Sequence, residues 1–135
     1  MNRILFLLLS MSSLLFTTGC CESHLKLRAY DLSCENLTDP LGIGSSNPRL
    51  SWKFETSADG ESLSAYQILA ASSPDLLTEN KADLWNSGKT ESPESILISW
   101  NGEELPSGSV CYWKVRIWDN SGRRSGWSET AYFTT

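Results

Sequence analysis

The stretch Cys111–Asp119, Cys-Tyr-Trp-Lys-Val-Arg-Ile-Trp-Asp, alternates strictly between two kinds of side chain. Cys111, Trp113, Val115 and Ile117 fall on one side, and Tyr112, Lys114, Arg116 and Trp118 on the other. Successive side chains of a strand point to opposite faces, so the pattern predicts a half-buried β-strand. Its inner row is apolar, β-branched and aromatic, which suits a central strand of a packed sheet. The outer row sets Lys114 and Arg116 between Tyr112 and Trp118, near enough for cation and ring to stack.

The rest of the chain supplies partners. Leu25, Leu27 and Ala29, then Leu32 and Cys34, predict a first strand with a phase change, a bulge, near Tyr30. Arg49–Thr56 alternates with Leu50, Trp52 and Phe54 inward, and Ala65–Ala71 with Tyr66, Ile68 and Ala70 opposite Gln67 and Leu69. Ser73-Pro74-Asp75-Leu76-Leu77 reads as a cap and a turn or two of helix. Further strands are predicted at Asp83–Lys89, around Trp85, and at Ser95–Trp100, with Ile96, Ile98 and Trp100 facing one way. Asn101-Gly102 precedes too short a segment for a hairpin, so it predicts a bend crossing between sheets. Arg123–Ser128 and Thr130–Thr134 close the chain. Short strands separated by turns, with almost no helix, predict an all-β, two-sheet sandwich of about seven strands. Trp52, Phe54, Ile68, Trp113, Val115 and Ile117 are its expected core.

The N-terminus predicts an address. Arg3 precedes the mostly apolar run Ile4–Phe16, which is shorter than the roughly 20 residues that span a bilayer. Thr17-Thr18-Gly19-Cys20 resembles a bacterial lipobox, although Thr17 stands where a larger aliphatic residue is usual. Residues 1–19 are thus expected to be a lipoprotein signal peptide, with Cys20 acylated, residues 20–25 a tether and 26–135 the folded domain. The alternative is an ordinary secretory signal. Acyl chains on Cys20 would anchor the protein to a membrane, periplasmic or at the cell surface.

With 135 residues the chain has room for one domain. Its formal net charge of −5 and lack of a basic run argue against a nucleic-acid partner. Cys34 and Cys111 both read as inward-facing, and the sequence leaves them open as a disulfide or as two buried thiols. No metal or other cofactor is expected, since His24 is the single histidine and no second cysteine lies near either. A glycosidase needs two carboxylates about 5–10 Å apart in a cleft. The acidic residues here lie in turns and polar rows, and Glu103-Glu104 should diverge into solvent. No catalytic residue is expected. Exposed Trp85, Trp100 or Trp118 would favour a sugar-binding or adhesion module instead; rings covered by Lys114, Arg116 and Arg123 would favour a structural role.

The spacing of Leu105 and the strand at Cys111 resembles the fibronectin type III pattern. That pattern usually sets a corner tyrosine where Cys111 stands, with Tyr112 one place later. Trp127-Ser128 beside Arg123 and Arg124 is similar to the tryptophan–arginine stack of fibronectin-like receptor domains. A closer resemblance rests on five motifs in register: Asp39-Pro40-Leu41-Gly42-Ile43 with Pro48-Arg49-Leu50-Ser51-Trp52, Ala65-Tyr66-Gln67-Ile68, Asp83–Lys89, Tyr112–Asp119, and Trp127-Ser128 with Phe133. These resemble the opening of bacterial α-L-rhamnosidases of glycoside hydrolase family 78, with mild departures at Asp39, Leu63 and Asn86. The resemblance implies a fibronectin-like or immunoglobulin-like N-terminal accessory module, followed in that family by further β-domains and a catalytic helical barrel. Neighbouring rhamnosidase domains are the implied partners, met through the Asp39–Pro48 loop and the exposed sheet edge. Carbohydrate binding by the module itself is not expected.

Overall fold

The computed structural model describes residues 26–135. The signal segment, Cys20, Cys21, His24 and the tether up to residue 25 lie outside the described residues. Eight strands form two antiparallel sheets: β1 (Leu27–Cys34), β2 (Arg49–Thr56), β3 (Leu63–Ala71), β4 (Trp85–Asn86), β5 (Thr90–Glu91), β6 (Ile98–Ser99), β7 (Val110–Asp119) and β8 (Ala131–Thr134). The smaller sheet runs β1-β2-β6, and the larger runs β4-β3-β7-β8, with β5 also on the free edge of β3. The predicted sandwich class is what forms.

β7 is central, paired along its length with β3 and at its start with β8. Its inner row, Cys111, Trp113, Val115 and Ile117, has no solvent exposure. Trp52 of β2 meets Tyr66 of β3 edge-on across the layers, with ring centroids 5.2 Å apart. Ile68 joins this core, whereas Phe54 is half-buried at its rim. The register of β1 against β2 shifts between Tyr30 and Ser33, where Asp31 takes φ 51°. That bulge brings Ala29, Leu32 and Cys34 all inward despite their uneven spacing. Cys34 and Cys111 are buried free thiols.

Several expectations are corrected. Ile96 does not face inward with Ile98 and Trp100; it is 70% exposed. Leu97 adopts φ 53°, and its N–H donates to Ser51 Oγ (2.8 Å), so the alternation breaks one residue before β6. The predicted strand at 83–89 is only β4, because Gly88 takes φ 61° before the chain resumes as β5. The helix after Ser73 is a single 3-10 turn, Pro74–Leu76. Residues 123–128, for which the sequence predicts no strand, run beside β7 on two serines: Ser125 and Ser128 donate their N–H groups to the Ile117 and Val115 carbonyls (2.8 Å each). Their hydroxyls accept the N–H groups of Ile117 and Val115 at 3.0 Å. The serines lie three residues apart, and their hydroxyls accept the two N–H groups that a second strand's carbonyls would otherwise take.

The Asn101-Gly102 bend does close as a bend. The Trp100 indole N–H donates to the Glu103 carbonyl and the Glu103 N–H to the Leu84 carbonyl, each at 2.8 Å. Trp85 packs on Trp100 at 5.1 Å, and Trp100 on Phe133 at 6.1 Å.

Candidate functional site

The outer face of β7 carries the row singled out in the sequence. Arg116 lies over Trp127 at 4.4 Å and over Trp118 at 5.5 Å. Lys114 covers Trp127 at 5.1 Å, and Lys89, arriving from the loop before β5, covers Trp118 at 5.3 Å. Trp127 reaches this face because the serine ladder fixes the backbone on either side of it. Tyr112 stands apart from the cations and packs on Tyr132 at 6.2 Å. Beside it Leu69, Ala71 and Leu77 form a second small core under the outer face, against which Trp127 also packs.

Two details differ from the sequence reading. The cations on Trp127 are Lys114 and Arg116, not Arg123 and Arg124. Arg123 is drawn back four residues to buried Asp119 at 2.7 Å, while Arg124 only bridges Trp118 through its backbone. The corner tyrosine of the fibronectin pattern is also not formed, since Cys111 belongs to the inner row and Tyr112 points outward.

A polar network holds the layer. Arg116 Nε donates to Gln67 Oε1 (2.9 Å), its terminal nitrogen pairs with Glu79, and Gln67 Nε2 donates to Asn86 Oδ1 (3.0 Å). Gln67 is directly opposite Arg116 in the β3–β7 register, so the alternation of both strands contained that contact. Glu79 and Lys89 come from loops and left no such periodic signal. Burial first, and the like charge of Arg116 second, pull the Lys114 ammonium below its usual range. Each cation is spent on a ring or a carboxylate, so the face is a stacked, closed layer. Trp100 and Trp118 are both below 10% exposed, and half-buried Trp85 leans on Trp100.

An open groove of about 620 Å³ lies on the smaller sheet, lined in part by Tyr30, Ser33, Ser51, Lys53 and Ile96. Lys53 pairs with Asp31 across it at 2.6 Å, and Arg28 lies over the Tyr30 ring at 5.2 Å. Among the described residues no cluster of three His, Cys, Asp or Glu could hold a metal. Glu103 and Glu104 are exposed on the bend, and Asp119 is engaged by Arg123.

Two antiparallel sheets face to face, with a closed cation–aromatic layer outside the central strand, define an immunoglobulin-like β-sandwich module. The chain belongs to the family of Rha78A-like N-terminal immunoglobulin domains, which matches residues 29–135. An α-L-rhamnosidase of Formosa agariphila is 40% identical over 136 residues, covering 98% of this chain and 14% of the relative. One from Streptomyces avermitilis is 38% identical over 109 residues, covering 81% of this chain and 10% of the relative. The solved S. avermitilis enzyme, complexed with L-rhamnose, superposes with a TM-score of 0.77 at 38% identity over 82% of this chain and 10% of that one. The α-L-rhamnosidase of Dictyoglumus thermophilum gives 0.76 at 38% identity, over 79% and 12%. The chain therefore spans about a tenth to a seventh of the length of these relatives, all within their N-terminal domain.

Proposed function

We propose that the chain is the non-catalytic N-terminal packing module of an exported α-L-rhamnosidase, an enzyme that removes terminal α-L-rhamnose from glycosides. The observation that carries this reading is the match of 98% of the chain to 14% of a rhamnosidase. The geometry supports it: the acidic side chains sit in ion pairs, turns or solvent, and the ring faces of Trp118 and Trp127 are covered by cations. The Arg3 n-region, the short apolar run and Thr18-Gly19-Cys20 support export with a lipid on Cys20. Fatty-acid labelling that persists unchanged in Cys20→Ala would refute that address.

The function is tested by assaying the chain and the longer gene product side by side on an aryl α-L-rhamnoside, with rhamnose calorimetry on the chain. The longer product should hydrolyse the substrate. The chain alone should neither turn it over nor bind rhamnose tighter than about 1 mM, roughly −4 kcal/mol. Turnover by the chain, or tighter binding, overturns the proposal.

A further inference from the structure

Charge is sparse at one end of the described sandwich. In a chain with 20% charged residues, the stretches 40–48, 105–113 and 130–135 contain no Asp, Glu, Lys or Arg. The fold brings all three together around Thr135. Thr134 donates its N–H to the Pro40 carbonyl (3.1 Å) and accepts the N–H of Ile43 (2.9 Å), so the loop after β1 runs along the free edge of β8. Thr134 Oγ1 also accepts the Gly42 N–H at 2.6 Å. On the other side Thr135 exchanges backbone hydrogen bonds with Gly108 and Ser109 at 2.8 and 3.0 Å.

Within this uncharged region Leu41 is 75% exposed, Val110 40% and Tyr132 38%. Val110 pairs with Thr134, so Val110 and Tyr132 are diagonal neighbours on the outer face. Leu41 lies between the two residues whose backbones bond Thr134. The acidic neighbours of this region stand at its border: Asp39 Oδ1 accepts the Tyr132 N–H at 3.0 Å, and Glu129 precedes β8. An uncharged apolar centre with charged groups kept to its rim is the composition of an interface.

We infer that the Leu41–Val110–Tyr132 surface is the seat of the next domain of the same polypeptide. This rests on the proposed place of the chain in a rhamnosidase. In those relatives the matched domain is N-terminal and most of the polypeptide follows it, so a successor leaves from beside Thr135 and meets this surface first. The loop Asp39–Pro48 has two duties: Pro40 and Ile43 close the edge of β8, and Leu41 faces the neighbour.

Hydroxyl-radical footprinting read by mass spectrometry tests this, with Tyr30 as internal control. Tyr30 and Tyr132 are equally exposed, 36% and 38%, but belong to opposite sheets. In the 135-residue chain both should be oxidised at similar rates. In the longer gene product Tyr132 and Leu41 should be protected several-fold, and Tyr30 unchanged. Unprotected Tyr132, or protection of Tyr30 in its place, refutes the surface while leaving the module reading intact. Concentration-dependent protection of Tyr132 in the short chain assigns the surface to self-association instead. A native gene product with no domain beyond this one, seen by intact mass, removes the module reading and the inference together.

Discussion

Among the described residues Gly102 should be the least replaceable glycine, for steric reasons alone. A Cβ added there would lie 2.5 Å from the Leu84 carbonyl oxygen, 2.6 Å from Trp85 Cβ and 2.9 Å from Trp100 Cζ2. Two of those neighbours are backbone or backbone-attached atoms, so relief requires moving the bend or β4. Overpacking of this kind costs about 1–3 kcal/mol. Moving Leu84 also endangers its hydrogen bond from the Glu103 N–H, whose loss adds about 0.5–1.5 kcal/mol. Gly102→Ala should therefore destabilise by about 2–4 kcal/mol, or lower Tm by about 10–20 °C in a domain of this size. The control is Gly126→Ala, where nothing lies within 4 Å, with an effect below about 0.5 kcal/mol. Urea and thermal unfolding followed by tryptophan fluorescence read both. Equal stabilities of the two variants would refute the packed bend.

Trp113→Ala and Trp52→Ala each remove a buried ring and should cost about 3–5 kcal/mol by urea unfolding; a loss under about 1 kcal/mol would contradict the strand phase. Burial pushes the Cys34 thiol up to about 12 and raises that of Cys111 as well, so neither should be alkylated at pH 8 until the protein unfolds. Rapid labelling of either peptide in the folded chain, by mass spectrometry, would contradict the buried pair. Hydrogen bonds from Arg49 to Glu35, from Lys26 and Arg28 to Glu55, and from Ser72 to Asp83 hold these carboxyls below their usual range. A lowered folded pKa contributes stability above the unfolded value and loses it as pH falls through the folded one. Urea midpoints should stay level above about pH 5 and decline gently below about pH 4, whereas a decline starting near pH 7 would oppose this.

Where neighbouring residues decide the structure, the sequence was readable. The period of two in β7 located the central strand, its buried row and its stacked face, because burial and alternation are one signal there. The uneven spacing of Ala29 and Leu32 marked the bulge for the same reason. What was hidden depends on chain segments meeting from afar. Nothing near Leu97 announces its positive φ, which follows from the Leu97 N–H reaching Ser51 and turns Ile96 to solvent. Ser125 and Ser128 look like turn residues until β7 lies alongside them. Lys89 and Glu79 join the cation–aromatic layer only through loop placement, so Arg123 and Arg124, nearer Trp127 in sequence, were the expected partners.

The proposed function has this module serve a rhamnosidase by packing, with no part in chemistry or sugar recognition. The most direct measurement compares the longer gene product with and without residues 26–135, reading KM and kcat on an aryl α-L-rhamnoside and the temperature of irreversible inactivation. The account predicts an unchanged KM and an unchanged kcat per folded molecule, with inactivation at a lower temperature once the neighbouring domain has lost this surface. A raised KM with the same inactivation temperature would contradict it, and would make this domain part of the substrate site.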